Sequence, residues 1–234
     1  MRPTVFASLG LLAALPLAAQ APNQLTAAEK AAGWRLLFDG SSTAGWHRYG
    51  GHDMPDGWQV VDGALTRVGP AADIVTDGKY RDFELVVEWR LAEGGNSGIF
   101  YRGVEAADPK KRALYFSAPE MQVLDDDRHP DGKSPLTSAG AAYGLYPAPR
   151  GATKPIGEWN SARILIEHNH VQHWLNGVKM ADYELGGADW KERVAKSKFN
   201  QWPEYGLAAE GVIGLQDHGD WVAFRNLKIR PIGH

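Results

Sequence analysis

Short runs that alternate between apolar and polar residues dominate this chain, and they predict strands rather than helices. Successive side chains of a strand point to opposite faces, so each run should present one apolar and one polar face. Clear examples are Phe83–Arg90 and a meander formed by Arg163–Glu167, Val171–Leu175 and Val178–Tyr183. Roughly a dozen such strands, with no regular alternation of strands and helices, predict an all-β sandwich or jelly roll of two antiparallel sheets.

Helix signals are confined to two places. Thr26–Glu29 has the pattern of a capping box, and Asp189–Glu192 opens a second short helix that runs towards Phe199. Asp62-Gly63 and Asn176-Gly177 are residue pairs typical of tight hairpin turns. One or two short helices are therefore expected beside the sandwich.

Three of the strand-like runs carry chemically capable polar residues on one face. They are Gly98–Arg102, Glu120–Leu124 and Val212–His218. Alternation directs one set of their side chains into the core: Ile99, Tyr101, Met121, Val123, Ile213 and Leu215. The other set should share the opposite face and form a concave polar cleft: Arg102, Glu120, Gln122, Gln216 and His218. Gly98 and Gly214 lie on that same face, where a missing side chain lets a ligand approach the backbone.

Two long irregular stretches should form the walls of this cleft. Asp125–Glu158 and Lys198–Gly211 are rich in turn-forming residues and too long to be simple connections. Long loops in a compact domain are usually functional or disordered, and aromatic residues favour ordered lids over the cleft. Asp125–Glu158 is called the first lid below, and Lys198–Gly211 the second lid. The aromatic residues in question are Tyr143, Tyr146, Phe199, Trp202 and Tyr205.

The first residues form an export signal rather than part of the fold. Arg2 precedes an apolar run from Val5 to Leu17, and small alanines that suit cleavage follow. The run is too short to span a bilayer comfortably. We therefore expect a signal peptide over residues 1–21, a short N-terminal helix or linker over 22–33, and a single β-sandwich domain over 34–234.

Composition limits the possible cellular locations and binding partners of the protein. The chain has no cysteine, which excludes disulfides and a lipid-acceptor cysteine at the cleavage site. We expect a soluble periplasmic or secreted protein that is not a lipoprotein. With 25 basic and 28 acidic residues the net charge is −3, and no basic stripe is present. Neither nucleic acid nor an anionic membrane surface is an expected partner.

An ordered set of motifs spans about residues 33–232. Its members are Leu37–Gly40, Gly45-Trp46, Trp58–Gly63, Tyr80–Leu85, Gly95–Ile99 with Arg102, Glu120–Leu124, Glu158–Asn160, His173–Gly177, Gly214–His218 and Phe224–Ile229. In this set the chain resembles the 3-keto-disaccharide hydrolase family, also described as 3-keto-glucoside 1,2-lyase–hydratase domains. One departure is Ser117–Pro119 ahead of Glu120, where the family pattern has a glycine before the glutamate. The resemblance implies a concanavalin-like lectin/glucanase sandwich.

The resemblance also implies chemistry on a sugar whose C3 is already a ketone, supplied by a separate sugar 3-dehydrogenase. The ketone acidifies the C2 proton, its removal expels the C1 substituent, and water adds back at C1. This route needs one base, one acid and donors for the enolate, and Glu120, His218 and Arg102 supply them. An ordinary glycosidase needs two carboxylates. The alternate positions after Glu120 are Gln122 and Leu124, so a second acid on that strand is missing.

Further residues are candidates for holding the sugar. Gln122 and Gln216 suit hydroxyl groups because an amide both donates and accepts hydrogen bonds. Trp159 and Trp202 lie in loop regions and could stack on a sugar ring. Tyr143 and His129 belong to the first lid, and Asn96 lies at the turn before Gly98.

No metal or other cofactor is expected. Asp125, Asp126, Asp127 and His129 could bring a divalent cation to the ketone, but three consecutive aspartates cannot all face one ion, and the spacing differs from that of an EF-hand. His168–His170 and His173 are interpreted as a surface turn. Two alternatives stay open: a non-catalytic carbohydrate-binding module, because fold does not decide function, and a conventional glucanase on the same sandwich.

Overall fold

The computed structural model of the protein describes residues 21–105 and 113–233. Two α-helices lie in this part of the chain, α1 (Ala27–Ala31) and α2 (Ala188–Lys196), together with three short 3₁₀ helices, Leu114–Phe116, Pro130–Lys133 and Lys198–Gln201. The strands are β1 (Arg35–Leu36), β2 (Trp46–Arg48), β3 (Trp58–Val61), β4 (Ala64–Arg67), β5 (Ile74–Thr76), β6 (Phe83–Leu91), β7 (Asn96–Gly103), β8 (Glu120–Leu124), β9 (Asn160–Glu167), β10 (His170–Leu175), β11 (Val178–Glu184), β12 (Val212–Leu215) and β13 (Val222–Pro231).

The strands form two antiparallel sheets. The larger sheet has the order β11-β10-β9-β6-β13-β4-β3, with β1 also paired to β13. The smaller sheet has the order β2-β5-β12-β7-β8. The predicted all-β sandwich is therefore confirmed. Both predicted hairpin turns are present, because Asp62-Gly63 and Asn176-Gly177 have positive φ at both residues, as the tight turns that suit β-hairpins require.

One continuous core fills the space between the sheets. The side chains that alternation directs inward from the smaller sheet are all almost completely buried there: Ile99, Tyr101, Met121, Val123, Ile213 and Leu215. They pack in the same cluster as the inward residues of β6, namely Phe83, Leu85, Val87 and Trp89. On the opposite face of the smaller sheet, a second buried apolar cluster that includes Phe100 and Leu114 lies beside the polar side chains of β8 and of the segment that follows β12.

The N-terminal segment is tied to the larger sheet. Thr26 and Glu29 form the predicted capping box of α1. The side chain of Asn23 accepts a hydrogen bond from the backbone N–H of Asn226 at 2.8 Å and donates one to Gly63 O at 2.7 Å. Residues 1–20 of the expected signal peptide lie outside the described residues. No helix in the described ranges is long and apolar enough to cross a membrane.

His173 is buried in the core, so its interpretation as a surface residue is wrong. It lies on β10, and its Nε2 is 2.9 Å from the hydroxyl of Tyr101 while its Nδ1 is 3.1 Å from Gly140 O. Burial lowers the pKa of His173 to about 4. The imidazole is therefore neutral at pH 7 and serves as a hydrogen-bonding core residue.

Candidate active site

A pocket of about 390 Å³ opens on the outward face of the smaller sheet. It brings together seven of the predicted site residues, which come from distant parts of the chain: Asn96, Glu120, Gln122, Tyr143, Trp202, Gln216 and His218. Tyr115, Lys198 and Phe199 complete its lining. A larger cavity of about 490 Å³ lies beside Asp125–Arg128 and Thr153–Glu158, but Glu120, Gln122 and His218 do not line it. The candidate residues Glu120, Gln122 and His218 therefore lie together in the smaller pocket.

Glu120 is the carboxyl group of this pocket. It begins β8 directly opposite Phe100 of β7, and only 8% of it is exposed. Burial raises the pKa of Glu120 to about 8; the ammonium group of Lys198 opposes this rise, and the carboxylates of Asp73 and Asp131 add to it. At pH 7 Glu120 therefore carries its proton most of the time and can donate it.

The carboxyl group of Glu120 lies directly over the backbone of Gly98. A Cβ atom at Gly98 would be 2.1 Å from Oε1 of Glu120. At Gly214 a Cβ would be 2.4 Å from Cδ2 of Leu114. Both glycines were expected to let a ligand approach the backbone. Instead, they make room for side chains of the protein itself, and Gly98 fixes where the catalytic candidate lies.

Replacing Gly98 with alanine should displace this carboxyl group. We expect Gly98→Ala to lower kcat by about 100-fold, because a displacement of about 1 Å in a reacting group has an effect of that size. Steady-state kinetics and a thermal melt would measure the effect. Gly69→Ala is the matched control, since its new methyl group meets no atom within 4 Å. An unchanged kcat in Gly98→Ala would show that the position of the Glu120 carboxyl is not critical.

The three amide side chains of the pocket, Asn96, Gln122 and Gln216, differ in their hydrogen bonding. Both functional atoms of Gln122 are engaged: Oε1 accepts from Val123 N at 3.0 Å, and Nε2 donates to Thr137 O at 3.3 Å. Gln122 therefore holds the first lid on the sheet. By contrast, the buried Oε1 of Gln216 and Oδ1 of Asn96 have no hydrogen-bond partner among the described residues. Unpaired buried acceptors are costly, so these two amides are the ones suited to donors from a ligand.

Two histidines stand at the rim of the pocket. His218 is exposed, and its Nδ1 is 4.0 Å from Oδ2 of Asp220. The rings of His218 and His129 are 6.1 Å apart at 81°. His129 Nδ1 accepts a hydrogen bond from Asp131 N at 3.1 Å, and its Nε2 is 3.5 Å from Nδ2 of Asn96. His129 therefore lies beside the pocket, behind Asn96, while His218 lines it.

Aromatic side chains form a further part of the pocket lining. Trp202 stacks on Phe116 with ring centroids 4.5 Å apart and meets Tyr115 edge-on at 5.2 Å. The hydroxyl of Tyr143 donates to Oδ2 of Asp131 at 3.2 Å. Burial and the nearby carboxylates of Asp131 and Glu120 raise the pKa of Tyr143, so it stays a neutral donor. Trp202 supplies the aromatic face that suits a sugar ring.

Arg102 lies outside this pocket, contrary to the prediction that it shares a face with Glu120. It has a φ of +50°, and the pairing of β7 with β12 shifts register at this point. Its buried guanidinium pairs with Oδ1 of Asp82 at 3.1 Å and donates to Arg81 O at 2.9 Å. Strand alternation therefore fails at Arg102, and its side chain joins a different cavity beside Asp82 and Asn169.

Trp159 is also placed elsewhere. Its ring lies beneath the guanidinium groups of Arg225, at 4.1 Å, and Arg90, at 4.7 Å. Both arginines belong to strands of the larger sheet, β13 and β6. Trp159 is not part of the pocket lining, and its ring is covered by these two cations. Of the two tryptophans expected to stack on a sugar ring, Trp202 lines the pocket and Trp159 does not.

Lys198 and Tyr115 are pocket residues that the sequence interpretation did not single out, and Lys198 is the charged one. It follows α2 and begins a short 3₁₀ helix, Lys198–Gln201. Its Nζ is 4.5 Å from the ring centre of Tyr143 and 5.4 Å from that of Phe199. The available signal was a single lysine at the start of the aromatic second lid.

The acidic run of the first lid is engaged in holding its own loop. Asp125 accepts hydrogen bonds from Gly94 N at 2.8 Å and Asp127 N at 3.2 Å, and Asp126 accepts one from Ala139 N at 2.7 Å. Among the residues that the structure describes, no group of three or more histidines and carboxylates has the geometry to hold a metal ion. The carboxylates at this position thus have a structural role in the loop.

Comparison with known proteins agrees with this architecture. Residues 33–230 match the model of the 3-keto-alpha-glucoside-1,2-lyase-like domain family. A 3-keto-disaccharide hydrolase of Bacteroides thetaiotaomicron is 36% identical over 228 residues, which cover 86% of this chain and 79% of that protein. The crystal structure of a presumed glycosyl hydrolase of Parabacteroides distasonis superposes with a TM-score of 0.84 at 37% identity, covering 91% of this chain and all of that one.

The fold and these comparisons thus define a β-sandwich enzyme of the glycoside-cleaving class, as predicted. More particularly, the chain belongs to the 3-keto-alpha-glucoside-1,2-lyase-like family. A Bacillus subtilis protein with a galectin-like fold, 14% identical with a TM-score of 0.50, shares the sandwich alone.

Proposed function

We propose that the protein cleaves 3-keto-glycosides, including 3-keto-disaccharides, by elimination followed by hydration. The observation that carries this proposal is the single carboxyl group of the pocket. Glu120 is the one carboxylic acid among the described residues that line it. Direct glycoside hydrolysis commonly requires a pair of carboxyl groups about 5–9.5 Å apart on either side of the bond. Elimination from a 3-keto sugar requires one acid and one base of any kind.

The proposed reaction begins at C2. A base removes the C2 proton, which the neighbouring C3 ketone has made acidic, and the electron pair passes into an enolate. The enolate then re-forms the ketone and expels the C1 substituent, leaving a C1–C2 double bond conjugated to the C3 carbonyl. Water adds to C1, and C2 takes up a proton. The sum of these steps is hydrolysis of the glycosidic bond.

Two titratable side chains of the pocket, Glu120 and His218, divide these proton transfers between them. The raised pKa of Glu120, about 8, keeps its proton in place at pH 7, which suits the acid that protonates the leaving oxygen at C1. His218 is exposed at the rim and is the imidazole available to act as the base at C2. Asn96 and Gln216 offer acceptors to sugar hydroxyls, and Trp202 offers a stacking face.

The proposed reaction requires an earlier step that makes its substrate, and the sequence indicates where the enzyme meets that substrate. A 3-keto-glycoside must be made by oxidation of the C3 hydroxyl, so a sugar 3-dehydrogenase has to act first. The charged and apolar pattern of residues 1–21 supports export to the periplasm or beyond. The substrate would then be met outside the cytoplasm.

The test is cleavage in deuterated water of a 3-keto-disaccharide and of its unoxidised parent. We expect the keto sugar to be cleaved with deuterium incorporated at C2, and the parent to remain intact. Mass spectrometry of the products measures both outcomes. Cleavage of the parent without exchange would instead indicate a conventional glucanase. Saturable binding of the keto sugar with neither exchange nor cleavage would indicate a carbohydrate-binding module.

A further inference from the structure

Lys198 is held over the pocket by its neighbours in the second lid. The next residue, Phe199, is buried and stacks on Tyr205 with ring centroids 4.1 Å apart. The backbone N–H of Phe199 donates to Oγ of Ser197 at 3.1 Å, which fixes the start of the 3₁₀ helix. The ammonium group therefore extends from an anchored turn rather than from a free loop, and it faces the same pocket as Glu120.

The proposed reaction develops negative charge on the C3 oxygen, which a positive charge nearby would stabilise. When the C2 proton leaves, negative charge develops on the C3 oxygen, and catalysis of such a step depends on preorganised donors or cations at that oxygen. Arg102, the residue expected to supply the charge, is occupied with Asp82 in another cavity. Among the described residues that line the pocket, Lys198 is the side chain with a permanent positive charge.

We propose that Lys198 is a catalytic residue whose ammonium group contacts the C3 oxygen of the substrate and stabilises the enolate. This inference rests on the proposed function and deepens it. The carboxyl group of Glu120 lies on the sheet and Lys198 on the lid, so a sugar ring between them is contacted from two sides. Glu120 would serve the leaving oxygen at C1, and Lys198 would serve the ketone at C3.

The surroundings of Lys198 suit a cation. Its Nζ lies against the faces of Tyr143 and Phe199, and aromatic faces attract cations. The carboxylate of Asp131 is nearby, bound by the hydroxyl of Tyr143. A lysine that forms a Schiff base with a ketone must first lose its proton. The site therefore favours electrostatic stabilisation over a covalent adduct.

Lys198 is also coupled to the acid of the proposed reaction. Its charge opposes the burial that raises the pKa of Glu120. The other charged or titratable groups around this carboxyl are Asp73, Asp131, Tyr143, Tyr101, Tyr205 and the rim histidines, His129 and His218. All of them remain when Lys198 is replaced. Loss of its charge should therefore move the titration of Glu120 to higher pH.

The experiment compares Lys198→Met, Lys198→Arg and the wild-type chain on a 3-keto-disaccharide. We expect Lys198→Met to lower kcat by about 100-fold with a much smaller change in KM, since loss of one transition-state donor has an effect of that order. C2 deuterium exchange should fall in parallel. Lys198→Arg should recover part of the activity. In Lys198→Met the alkaline limb of the kcat/KM profile should move to higher pH.

Lys191→Met is the matched control, because Lys191 lies on α2 outside the pocket lining. A rise in KM with kcat and exchange unchanged would overturn the proposal and make Lys198 a binding residue. Trapping of a reduced covalent adduct by borohydride, lost in Lys198→Met, would overturn it in favour of a Schiff base. If the wild-type chain neither exchanges nor cleaves the keto sugar, the proposed function itself fails. If the wild type does both and Lys198→Met matches it, only the inference on Lys198 fails.

Discussion

Replacing Glu120 with glutamine is expected to lower kcat/KM on a 3-keto-disaccharide by about 10³- to 10⁴-fold, the upper part of the range for loss of a general acid. Glutamine keeps the size of the side chain over Gly98 and its ability to donate a hydrogen bond. It cannot transfer a proton to the leaving oxygen at C1. The loss should therefore appear in turnover, while affinity for the keto sugar is largely kept. Steady-state kinetics and calorimetric titration would measure the two effects.

Measuring C2 exchange and cleavage separately on the same substrate shows which step of the reaction Glu120→Gln affects. If Glu120 protonates the leaving group, C2 exchange should persist in Glu120→Gln while cleavage is lost, because His218 can still remove the C2 proton. Glu184→Gln is the control, since Glu184 is an exposed residue of β11 on the larger sheet. Wild-type cleavage by Glu120→Gln would exclude the acid role. Loss of exchange together with cleavage would assign the C2 base to Glu120 instead.

Alternation along strands was enough to predict the core of this site. The pairing of Phe100 with Glu120 and of Gly98 with Gln122 keeps regular register, so the outward face of β7 and β8 follows the period of two. Gln216 extends the same face because its N–H donates to Gly98 O at 3.0 Å. Local periodicity determines side-chain direction wherever a strand has no bulge.

The same rule fails where the backbone departs from extended geometry. Arg102 has a left-handed φ at a register shift, and this single irregularity sends its side chain to Asp82. Bulges of this kind re-aim side chains without a clear sequence signal. The prediction that His173 lies on the surface is wrong for another reason. This residue follows the inward period of β10, but its place beside a turn of the meander suggested a surface position. Its tertiary partners, the hydroxyl of Tyr101 and the carbonyl of Gly140, make its burial possible.

Loop residues are harder still to place from sequence. From the sequence, Trp159 and Trp202 are equally good candidates for stacking on a sugar, because both are aromatic residues in long connections. In the structure, two arginines of the larger sheet cover Trp159. Trp202 instead packs against Phe116 and Tyr115 and lines the pocket. These choices depend on contacts between segments far apart in the chain. Lys198 was missed on the same grounds, because its role depends on Tyr143, which belongs to the other lid.

Glu120→Gln should also stabilise the protein at alkaline pH, which makes stability a second readout of the same carboxyl group. The pKa of Glu120 is about 8 in the folded protein against 4.5 for an unperturbed group. Its contribution to stability is therefore fully present below pH 4.5 and is lost as pH rises to 8, because the unfolded chain releases the proton first. The difference corresponds to about 3–5 kcal/mol at pH 8.5. Glutamine has no proton to release, so the variant avoids this loss.

Thermal melts at several pH values would measure the difference. We expect Glu120→Gln to melt about 10 °C above the wild type at pH 8.5 and close to it at pH 4.5. The buried His173 and the raised pKa of Asp73, about 6, are common to both proteins, so their contributions cancel in the comparison. Glu184→Gln should follow the wild type throughout. Equal melting temperatures of Glu120→Gln and wild type at pH 8.5 would show that the carboxylate is not penalised by burial. The acid role assigned to Glu120 would then lose its physical basis, since a carboxyl group with an ordinary pKa is ionised at pH 7 and has no proton to give.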